Sequence, residues 1–257
     1  MAGKNSRFDE YREENENLFE GKNAVWELVR SDRDIDKILF AKGSVKSLGH
    51  IIAKAREKGV ATQECDRRKL DQMSITGSHQ GIIAIASSIE YKTPDDILEN
   101  ARAKGEKPVI VICDGITDPH NLGAIIRSAE ISGAHGVIIP KRRSAVVNAA
   151  CAKAAAGALE HILVAKVNNI PSAVDYLKEQ GVFVFAADMD GEKTIFEADF
   201  KLPCALVIGS EGSGISHLVK SKCDFIVNIP QRGHIPSLNA SNAAAIMLFE
   251  ILRQRYM

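Results

Sequence analysis

Short apolar strands alternate with helices along residues 108–257, and this pattern constrains the fold more than any other feature of the chain. The strand candidates are VIVIC, GVIIP, HILVAKV, VFVFAA, ALVIG and FIVNI. Strands that are apolar on both faces need a covering layer on each side, which is typical of a parallel sheet flanked by helices. Ligands of such sheets bind at the carboxyl ends of the strands. The loops that follow the strands are therefore where a functional site is expected.

A smaller alternation of helices and strands precedes this one and indicates a separate α/β unit. Its helices are predicted over 23–30, 45–58 and 67–73, and its strands over 37–41, 60–64 and 81–87. Charge then rises and apolar residues become fewer, as expected of a linker with a short helix after Pro94. The predicted organisation is a polar segment 1–20 that we expect to be mobile, a first domain over 21–90, a linker over 91–106 and a second domain over 107–257.

Charge and cysteine content narrow the functional classes. The chain has 33 basic and 33 acidic residues, so any nucleic acid would have to be bound by local basic patches rather than by a global positive field. The five cysteines contain no C-x-x-C pair, which favours small buried side chains in a reducing compartment and no metal site. The start of the chain is polar and no apolar stretch approaches the length of a membrane span, so a cytoplasmic protein without a membrane partner is predicted.

The loop after VIVIC, DGITDPHNLGAIIRSAEISG, leads into a predicted helix over 119–132. Asp118 and Pro119 are suited to begin that helix. Helical spacing places Gly123, Arg127 and Glu130 on one stripe beside the buried face. Arg127 is then either a surface residue paired with Glu130 or a ligand-binding group, and Gly123 would leave room for a ligand beside it.

The loop after ALVIG, SEGSG, contains glycines that permit close approach of the backbone to a ligand. A nucleoside triphosphate loop is the obvious alternative. The segment lacks the Lys-Ser/Thr pair of that motif, and Glu211 would repel a polyphosphate. A carboxylate in a glycine-rich turn is better suited to a hydroxyl, an amino group or a cationic ligand.

The last loop, IPQRGHIPSLNAS, precedes the C-terminal helix. That helix has a continuous apolar face, which identifies it as structural. A cap at Ser237 or Asn239 would be sufficient to start it. The long approach that carries Gln231, Arg232 and His234 is not needed for capping, and long ordered loops at strand ends are usually functional.

Taken together, the three loops resemble the motifs of the SpoU/TrmH-type RNA ribose 2′-O-methyltransferases. The matching patterns are N-x-x-x-x-x-R from Asn121 to Arg127, G-S-E-G-x-G from Gly209, and I-P-x-x-G-x-x-x-S-L-N-x-S from Ile229. The likeness covers about residues 106 to 257. The segments GKNAVWELV and GSHQGIIAIAS are similar to the RNA-binding domain of the rRNA-modifying branch. The third motif departs from the family at Gln231, where methionine is common, and at Pro236 and Asn242.

The resemblance implies a fold that hydrophobic periodicity does not indicate. Members of the family tie the C-terminal part of the chain into a deep trefoil knot, in an α/β domain with a parallel sheet, beside a small N-terminal α/β RNA-binding domain. The family also implies a homodimer that holds S-adenosylmethionine in the knot. The expected enzyme is therefore an S-adenosylmethionine-dependent RNA 2′-O-methyltransferase.

The resemblance also implies roles for individual residues. Residues that match the family's cofactor contacts are Gly209, Ile229 and Leu238. Residues that match its catalytic and structural polar set are Asn121, Arg127, Glu211, Ser237 and Asn239. The family assigns the role of base to the arginine, yet a guanidinium stays protonated in proteins, so binding the RNA phosphate beside the target ribose suits Arg127 better.

The resemblance leaves several targets open. The N-terminal domain favours a guanosine of bacterial 23S rRNA as the substrate. A tRNA, or an rRNA adenosine as in thiostrepton-resistance enzymes, is the alternative within the family. An inactive RNA-binding homologue would be expected to lose the arginine or the Ser-Leu-Asn element, and both are present.

Overall fold

The computed structural model describes residues 17–31, 33–74, 77–87, 89–235 and 237–257. Within these residues the chain forms two compact units, and the division falls between Glu90 and Tyr91.

The first unit is a four-stranded mixed sheet with three helices. Its elements are β1 (Leu18–Glu20), α1 (Lys22–Arg30), β2 (Ile35–Ala41), α2 (Val45–Glu57), β3 (Thr62–Cys65), α3 (Arg67–Met73) and β4 (Ile82–Ala86). The strands lie in the order β1-β4-β2-β3, with β2 and β3 parallel and the other pairs antiparallel.

This unit has its own hydrophobic core on both faces of the sheet. Val25 of α1 and Leu48 of α2 pack with Ile38 on one face. Leu70 of α3 packs with Ile83 on the other face. All five side chains are fully buried, which supplies the apolar area a small independent unit needs.

The second unit is a seven-stranded parallel sheet flanked by helices. Its elements begin with α4 (Pro94–Ala103), β5 (Val109–Asp114), α5 (Pro119–Ile131), β6 (Gly136–Pro140), α6 (Ala149–Ala155), a 3₁₀ turn (Ala158–Glu160) and β7 (Leu163–Val167). They continue with α7 (Ile170–Glu179), β8 (Phe183–Ala187), β9 (Lys193–Thr194), β10 (Cys204–Gly209), α8 (His217–Lys220), β11 (Phe225–Asn228) and α9 (Ala240–Tyr256). The strands lie in the order β7-β6-β5-β10-β8-β11-β9. The predicted α/β class with a parallel sheet is confirmed.

The central strands are apolar along their whole length because helices cover both faces. Ile110, Val111 and Ile112 of β5 are fully buried, as are Ala205 and Val207 of β10. Successive residues of a strand point to opposite faces of the sheet, and in a parallel sheet covered on both sides each face is apolar. The uniformly apolar strand pattern therefore follows from the layered architecture.

The segment 91–106, predicted to be a linker, belongs to the second unit. Its helix α4 begins with a capping box between Thr93 and Asp96 and buries Ile97 fully. A Cβ on Gly136 would lie 2.5 Å from Ile97 Cδ1, so the strand and the helix approach closely. The short helix expected after Pro94 is present as α4, and the charges around its short apolar stripe explain why the sequence pattern resembles a linker.

Two further predictions differ from the structure. The helix expected over 144–157 is shorter, because the amide of Ala145 donates to Ile116 O and residues 144–148 form a loop before the cap at Asn148. Of the segment 1–20, residues 1–16 lie outside the described residues, while Leu18–Glu20 forms β1 and pairs with β4. Three residues are too few to show a strand periodicity in the sequence.

The buried side chain of His135 is expected to make the stability of the second unit depend on pH. The side chain is buried, its Nδ1 accepts from the Val109 amide at 3.1 Å, and its Nε2 lies 3.1 Å from Glu106 Oε2. Burial lowers the pKa of His135, with Glu106 acting in the opposite direction. The folded state therefore binds this proton less readily than the unfolded state, whose histidine titrates near pH ~6.5. The stability it contributes is present above that pH and is lost as the pH falls below it.

We expect the free energy of unfolding to fall more steeply between pH 7.5 and pH 5 in the wild type than in His135→Gln. Glutamine can accept from Val109 and donate to Glu106 without titrating. The difference in slope is at most ~1.4 kcal/mol per pH unit for one group. Urea denaturation at several pH values measures it, and identical slopes for the two proteins would contradict the expectation.

Candidate active site

Three loops of the second unit meet at the carboxyl edge of the sheet. Asp114 at the end of β5 pairs in register with Gly209 at the end of β10, so the loops that follow these two strands start side by side. Beyond β10 lie β8 and then β11, whose last residue Asn228 leads into the third loop. The sheet order thus brings together segments that are far apart in the sequence.

A closed set of side-chain hydrogen bonds joins the three loops. Asn121 Nδ2 donates to Glu211 Oε1 at 3.1 Å, and Asn239 Nδ2 donates to Asn121 Oδ1 at 3.0 Å. Asn239 Nδ2 also donates to Glu211 Oε1. Each of the three motifs therefore supplies one member of this polar triad, which we define as Asn121, Glu211 and Asn239.

Asn239 also caps the C-terminal helix α9. Its Oδ1 accepts from the Ser241 amide at 3.0 Å, the Ser241 hydroxyl at 2.6 Å and the Asn242 amide at 3.3 Å. The side-chain oxygen of Asn239 therefore accepts hydrogen bonds from the first turn of α9, while the side-chain nitrogen donates to the other two motif loops. One residue fixes both the start of α9 and the position of the polar triad.

The loop after β10 turns back tightly on itself. Ser210 and Gly214 exchange backbone hydrogen bonds of 3.1 and 2.9 Å, and Gly214 has a φ of +64°. A Cβ on Gly209 would lie 2.3 Å from the Gly214 carbonyl carbon and 2.3 Å from the Ile215 nitrogen. The absence of a side chain at Gly209 therefore lets the returning loop close.

This loop forms one wall of a cavity of about 470 Å³. Gly209, Ile229 and Leu238, the three predicted cofactor residues, all line it, together with Glu211 and Ser237. A cavity of this size, with apolar walls and a few polar groups, is typical of small-molecule sites. Glu211 and Gly212, at the tip of the loop, are exposed and can offer main-chain groups to a bound molecule.

Arg127 lies on the same helix as Asn121 but six residues further along, which is about 9 Å of rise. Its side chain is exposed, and within the described ranges it forms no ion pair with Glu130. The structure therefore does not support the alternative in which Arg127 is held by that pair. It also does not place Arg127 among the residues that line the cavity.

Gly123 has a role that differs from the expected one. A Cβ at this position would lie 2.4 Å from Cys151 O and 2.6 Å from Ala154 Cβ, both on α6. The glycine thus permits close packing of α5 against α6 and does not leave space for a ligand. Helical spacing alone cannot show which neighbour covers a small residue.

The cavity has a further wall that the sequence analysis missed. Asp188, Met189 and Asp190, directly after β8, line it together with the loop that follows β10. Lys220 of α8 holds this segment through ion pairs with Asp188 at 2.9 Å and Asp190 at 3.0 Å. Their position after an apolar strand is the signal by which they could have been found.

The cysteines and acidic residues of the described segments bear on the possibility of a metal site. The cysteines are free; Cys113, Cys151 and Cys204 are buried, and burial raises the pKa of the Cys113 thiol to about 12. Among the residues that the structure describes, no group of three or more His, Cys, Asp or Glu side chains is arranged to hold a metal ion. In the same part of the chain, no helix is long and apolar enough to cross a membrane.

Comparison with family models identifies the class of this chain. Residues 108–249 match the model of the SpoU rRNA Methylase family. The chain belongs to the SpoU methylase family. Residues 18–92 match a second model, described as RNA 2′-O ribose methyltransferase substrate binding. The predicted enzyme class, an RNA methyltransferase that uses S-adenosylmethionine, is confirmed at the level of the family.

Relatives of this SpoU methylase extend over most of its length. A putative TrmH family tRNA/rRNA methyltransferase, YacO of Bacillus subtilis, is 44% identical over 91% of this chain and 94% of its own. A crystal structure of an AdoMet-bound rRNA methyltransferase from Sinorhizobium meliloti is 25% identical, covers 97% of this chain and 92% of its own, and has a TM-score of 0.60. A TrmH/SpoU tRNA modifying enzyme of A. aeolicus is 28% identical, covers 58% of this chain and 76% of its own, and has a TM-score of 0.53.

Proposed function

We propose that this enzyme transfers the methyl group of S-adenosylmethionine to the 2′-hydroxyl of a guanosine ribose in 23S rRNA and works in the cytoplasm. The observation that carries the proposal is the polar triad, which joins all three motif loops beside a cavity lined by Gly209, Ile229 and Leu238. Bound S-adenosylmethionine supplies an electrophilic methyl group on a sulfonium centre. The protein then has to align a ribose oxygen with that group and to assist the departure of its proton.

The cavity residues fit such a cofactor. Leu238 and Ile229 provide apolar walls, and the exposed part of the loop that follows Gly209 provides main-chain groups for a polar heterocycle. Glu211 supplies a carboxylate, which favours a cationic ligand over a polyphosphate. The hydroxyl of Ser237 lies on the same wall, and we assign it contact with the reacting groups.

We propose that Arg127 binds the RNA phosphate beside the target ribose. Its guanidinium is exposed and, in the described part of the chain, has no carboxylate partner. A planar guanidinium forms bidentate hydrogen bonds with phosphate and remains protonated at physiological pH. By binding this phosphate, Arg127 would position the target ribose, while the polar triad keeps the three motif loops in place.

The whole-chain likeness favours rRNA over tRNA. The rRNA methyltransferase matches 97% of the chain, whereas the tRNA modifying enzyme matches 58%. The substrate-binding model matches residues 18–92, which lie in the first unit up to Glu90. Mapping of ribose 2′-O-methylation in rRNA and tRNA from cells with and without the gene tests this. One guanosine of 23S rRNA should lose its methyl group, and loss from a tRNA or an adenosine would replace the proposed target.

We propose that the second unit binds the cofactor and that the first unit provides most of the RNA affinity, which gives a further prediction. Residues 91–257 should keep the affinity for S-adenosylmethionine and lose most of the affinity for rRNA, because the RNA-binding likeness lies in the first unit. The fragment must start at 91 and not at 106, since α4 is part of the second core. Calorimetry and filter binding at one fixed salt concentration measure the two affinities. Full retention of rRNA affinity would contradict the assignment.

The family likeness also leads us to propose the trefoil knot and a homodimer. On α9, Ile246 and Phe249 are 40% and 48% exposed in the single chain, and they lie three residues apart on one stripe. Ile131 at the end of α5, a helix that packs against α9, is 56% exposed. Apolar side chains exposed in this way on adjacent helices are typical of a subunit interface.

We expect Phe249→Glu to shift the protein from dimer to monomer, because a carboxylate would be buried without a partner in the interface. Light scattering coupled to gel filtration measures the mass. Leu218→Glu, at a similarly exposed apolar residue on α8, is the matched control and should leave the dimer intact. A monomeric wild type, or a dimeric Phe249→Glu protein, would remove α9 from the interface.

A further inference from the structure

A second, larger cavity lies beside the first at the carboxyl edge of the same sheet. It has a volume of about 990 Å³ and shares the loop from Ser210 to Gly214 with the cofactor cavity, so this loop separates the two. Its other walls come from the segments that follow β5, β6 and β7. Asn121 of the polar triad lines it, together with Arg142 and Arg143.

The segment with the two arginines is fixed at both ends. The Lys141 amide donates to Val167 O at 2.8 Å, which ties its start to the end of β7. The Ser144 hydroxyl donates to Ile116 O at 3.2 Å, and the Ala145 amide donates to the same oxygen at 2.6 Å. Ile116 belongs to the loop that leads to Asn121. The arginines are therefore held at the rim of the cavity by the first motif.

Arg143 itself adopts a φ of +57°. A residue with a Cβ rarely takes this left-handed conformation, because the Cβ then lies close to the backbone. The anchors on either side of the segment maintain it. Strained backbone of this kind is commonly found at ligand-binding positions.

The charges that line the cavity are not equivalent. The carboxylates all accept hydrogen bonds from the protein: Asp114 from the Ser216 amide at 2.8 Å, Asp118 from the His120 amide at 2.9 Å, and Glu211 from Asn121. The guanidinium groups of Arg142 and Arg143 are exposed and have no hydrogen-bonding or ionic partner among the residues described. The positive charge at this rim is therefore available to an external anion.

We propose that Arg142 and Arg143 bind backbone phosphates of the single-stranded RNA segment that carries the target nucleotide, and so position its ribose over the cofactor cavity. This inference rests on the proposed function. The larger cavity has room for a nucleotide. Asn121 lines this cavity and contacts Glu211 of the loop from Ser210 to Gly214. Phosphate contacts fix the register of a nucleic acid without reading its sequence, and arginine pairs with phosphate through its planar fork.

The test compares three variants of the full-length enzyme. Arg142→Gln removes one charge, Arg143→Asn removes the other while tolerating the left-handed backbone, and the double variant removes both. Arg102→Gln is the control, because Arg102 is an exposed arginine at the end of α4, near the opposite edge of the sheet. S-adenosylmethionine titration confirms that each variant is folded.

RNA binding is measured by fluorescence anisotropy at several salt concentrations, with a 23S rRNA fragment that the wild type methylates and with an unrelated single-stranded RNA. We expect each single substitution to weaken binding of both RNAs about tenfold. The dependence of log K on log salt should become shallower by about 0.7 for each phosphate that the variant no longer binds. Single-turnover methylation should fall in parallel at subsaturating RNA, with unchanged cofactor affinity.

Wild-type RNA affinity and salt dependence in the double variant would overturn the proposal. Weakened binding confined to the cognate rRNA would overturn it as well, since that result indicates base recognition. Failure of the wild-type enzyme to methylate any RNA would instead overturn the proposed function, and anisotropy with the unrelated single-stranded RNA would still decide whether the two arginines bind RNA.

Discussion

We expect Gly209→Val to weaken S-adenosylmethionine binding severely while the sheet remains folded, and this is the largest effect that we expect on the cofactor site. A Cβ at this position would lie 2.3 Å from the backbone of Gly214 and Ile215, so the loop must move. We expect this movement to displace Glu211, which lines the cavity. Overpacking of this kind costs about 1–3 kcal/mol, and the loss of loop geometry further weakens binding. We expect a reduction on the order of a hundredfold or more.

Gly212 offers a matched control in the same loop. A Cβ on Gly212 meets no atom within 4 Å. Comparing Gly209→Ala with Gly212→Ala therefore makes the same chemical change at a closed and at an open position. Calorimetry should show weakened binding for the first variant and near-normal binding for the second. Unchanged affinity in folded Gly209→Val would remove the loop from the cofactor site.

Arg127→Ala should abolish most methyl transfer and spare S-adenosylmethionine affinity. Arg127 is exposed and does not line the cofactor cavity, so cofactor binding has no reason to depend on it. Removal of a charge-assisted hydrogen bond to RNA in a desolvated site costs about 2–4 kcal/mol, or roughly a hundredfold or more in rate. Single-turnover methylation of rRNA, run alongside a cofactor titration, measures both quantities.

Two companion variants separate the possible roles of Arg127. Lysine keeps the charge but loses the planar fork, so substantial rescue by Arg127→Lys would indicate simple electrostatics and little rescue would indicate bidentate geometry. Glu130→Gln removes the carboxylate that could pair with Arg127 on the helix surface, and it should leave activity unchanged. Near-normal methylation by Arg127→Ala would return Arg127 to a structural role and refute its assignment to the RNA phosphate.

The sequence predicted the strands of the second unit well because each is a short apolar run between polar loops. GVIIP is a strand over Gly136–Pro140, as predicted, and the strand end at Gly209 was also placed correctly. Helix α4 was assigned to a linker because its buried face has few residues, and β9 was missed because two residues carry no periodicity.

The candidate site was predicted through its motifs and not through its geometry. Asn121 and Asn239 are 118 residues apart, and their contact depends on β10 lying between β5 and β8. Strand order is decided by the packing of the whole unit, so no local pattern reveals it. The wall at Asp188 and the rim at Arg142 were missed for the same reason, although both follow apolar strands.

The central claim is tested most directly by incubating the purified enzyme with labelled S-adenosylmethionine and unmodified 23S rRNA, and then analysing the nucleosides by mass spectrometry after complete digestion. The label should appear in 2′-O-methylguanosine with the wild type and be reduced on the order of a hundredfold in initial rate with Arg127→Ala. Label on a base, on another nucleoside, or on no RNA at all while the enzyme binds the cofactor would contradict the assignment of this fold and this site to methylation of a guanosine ribose.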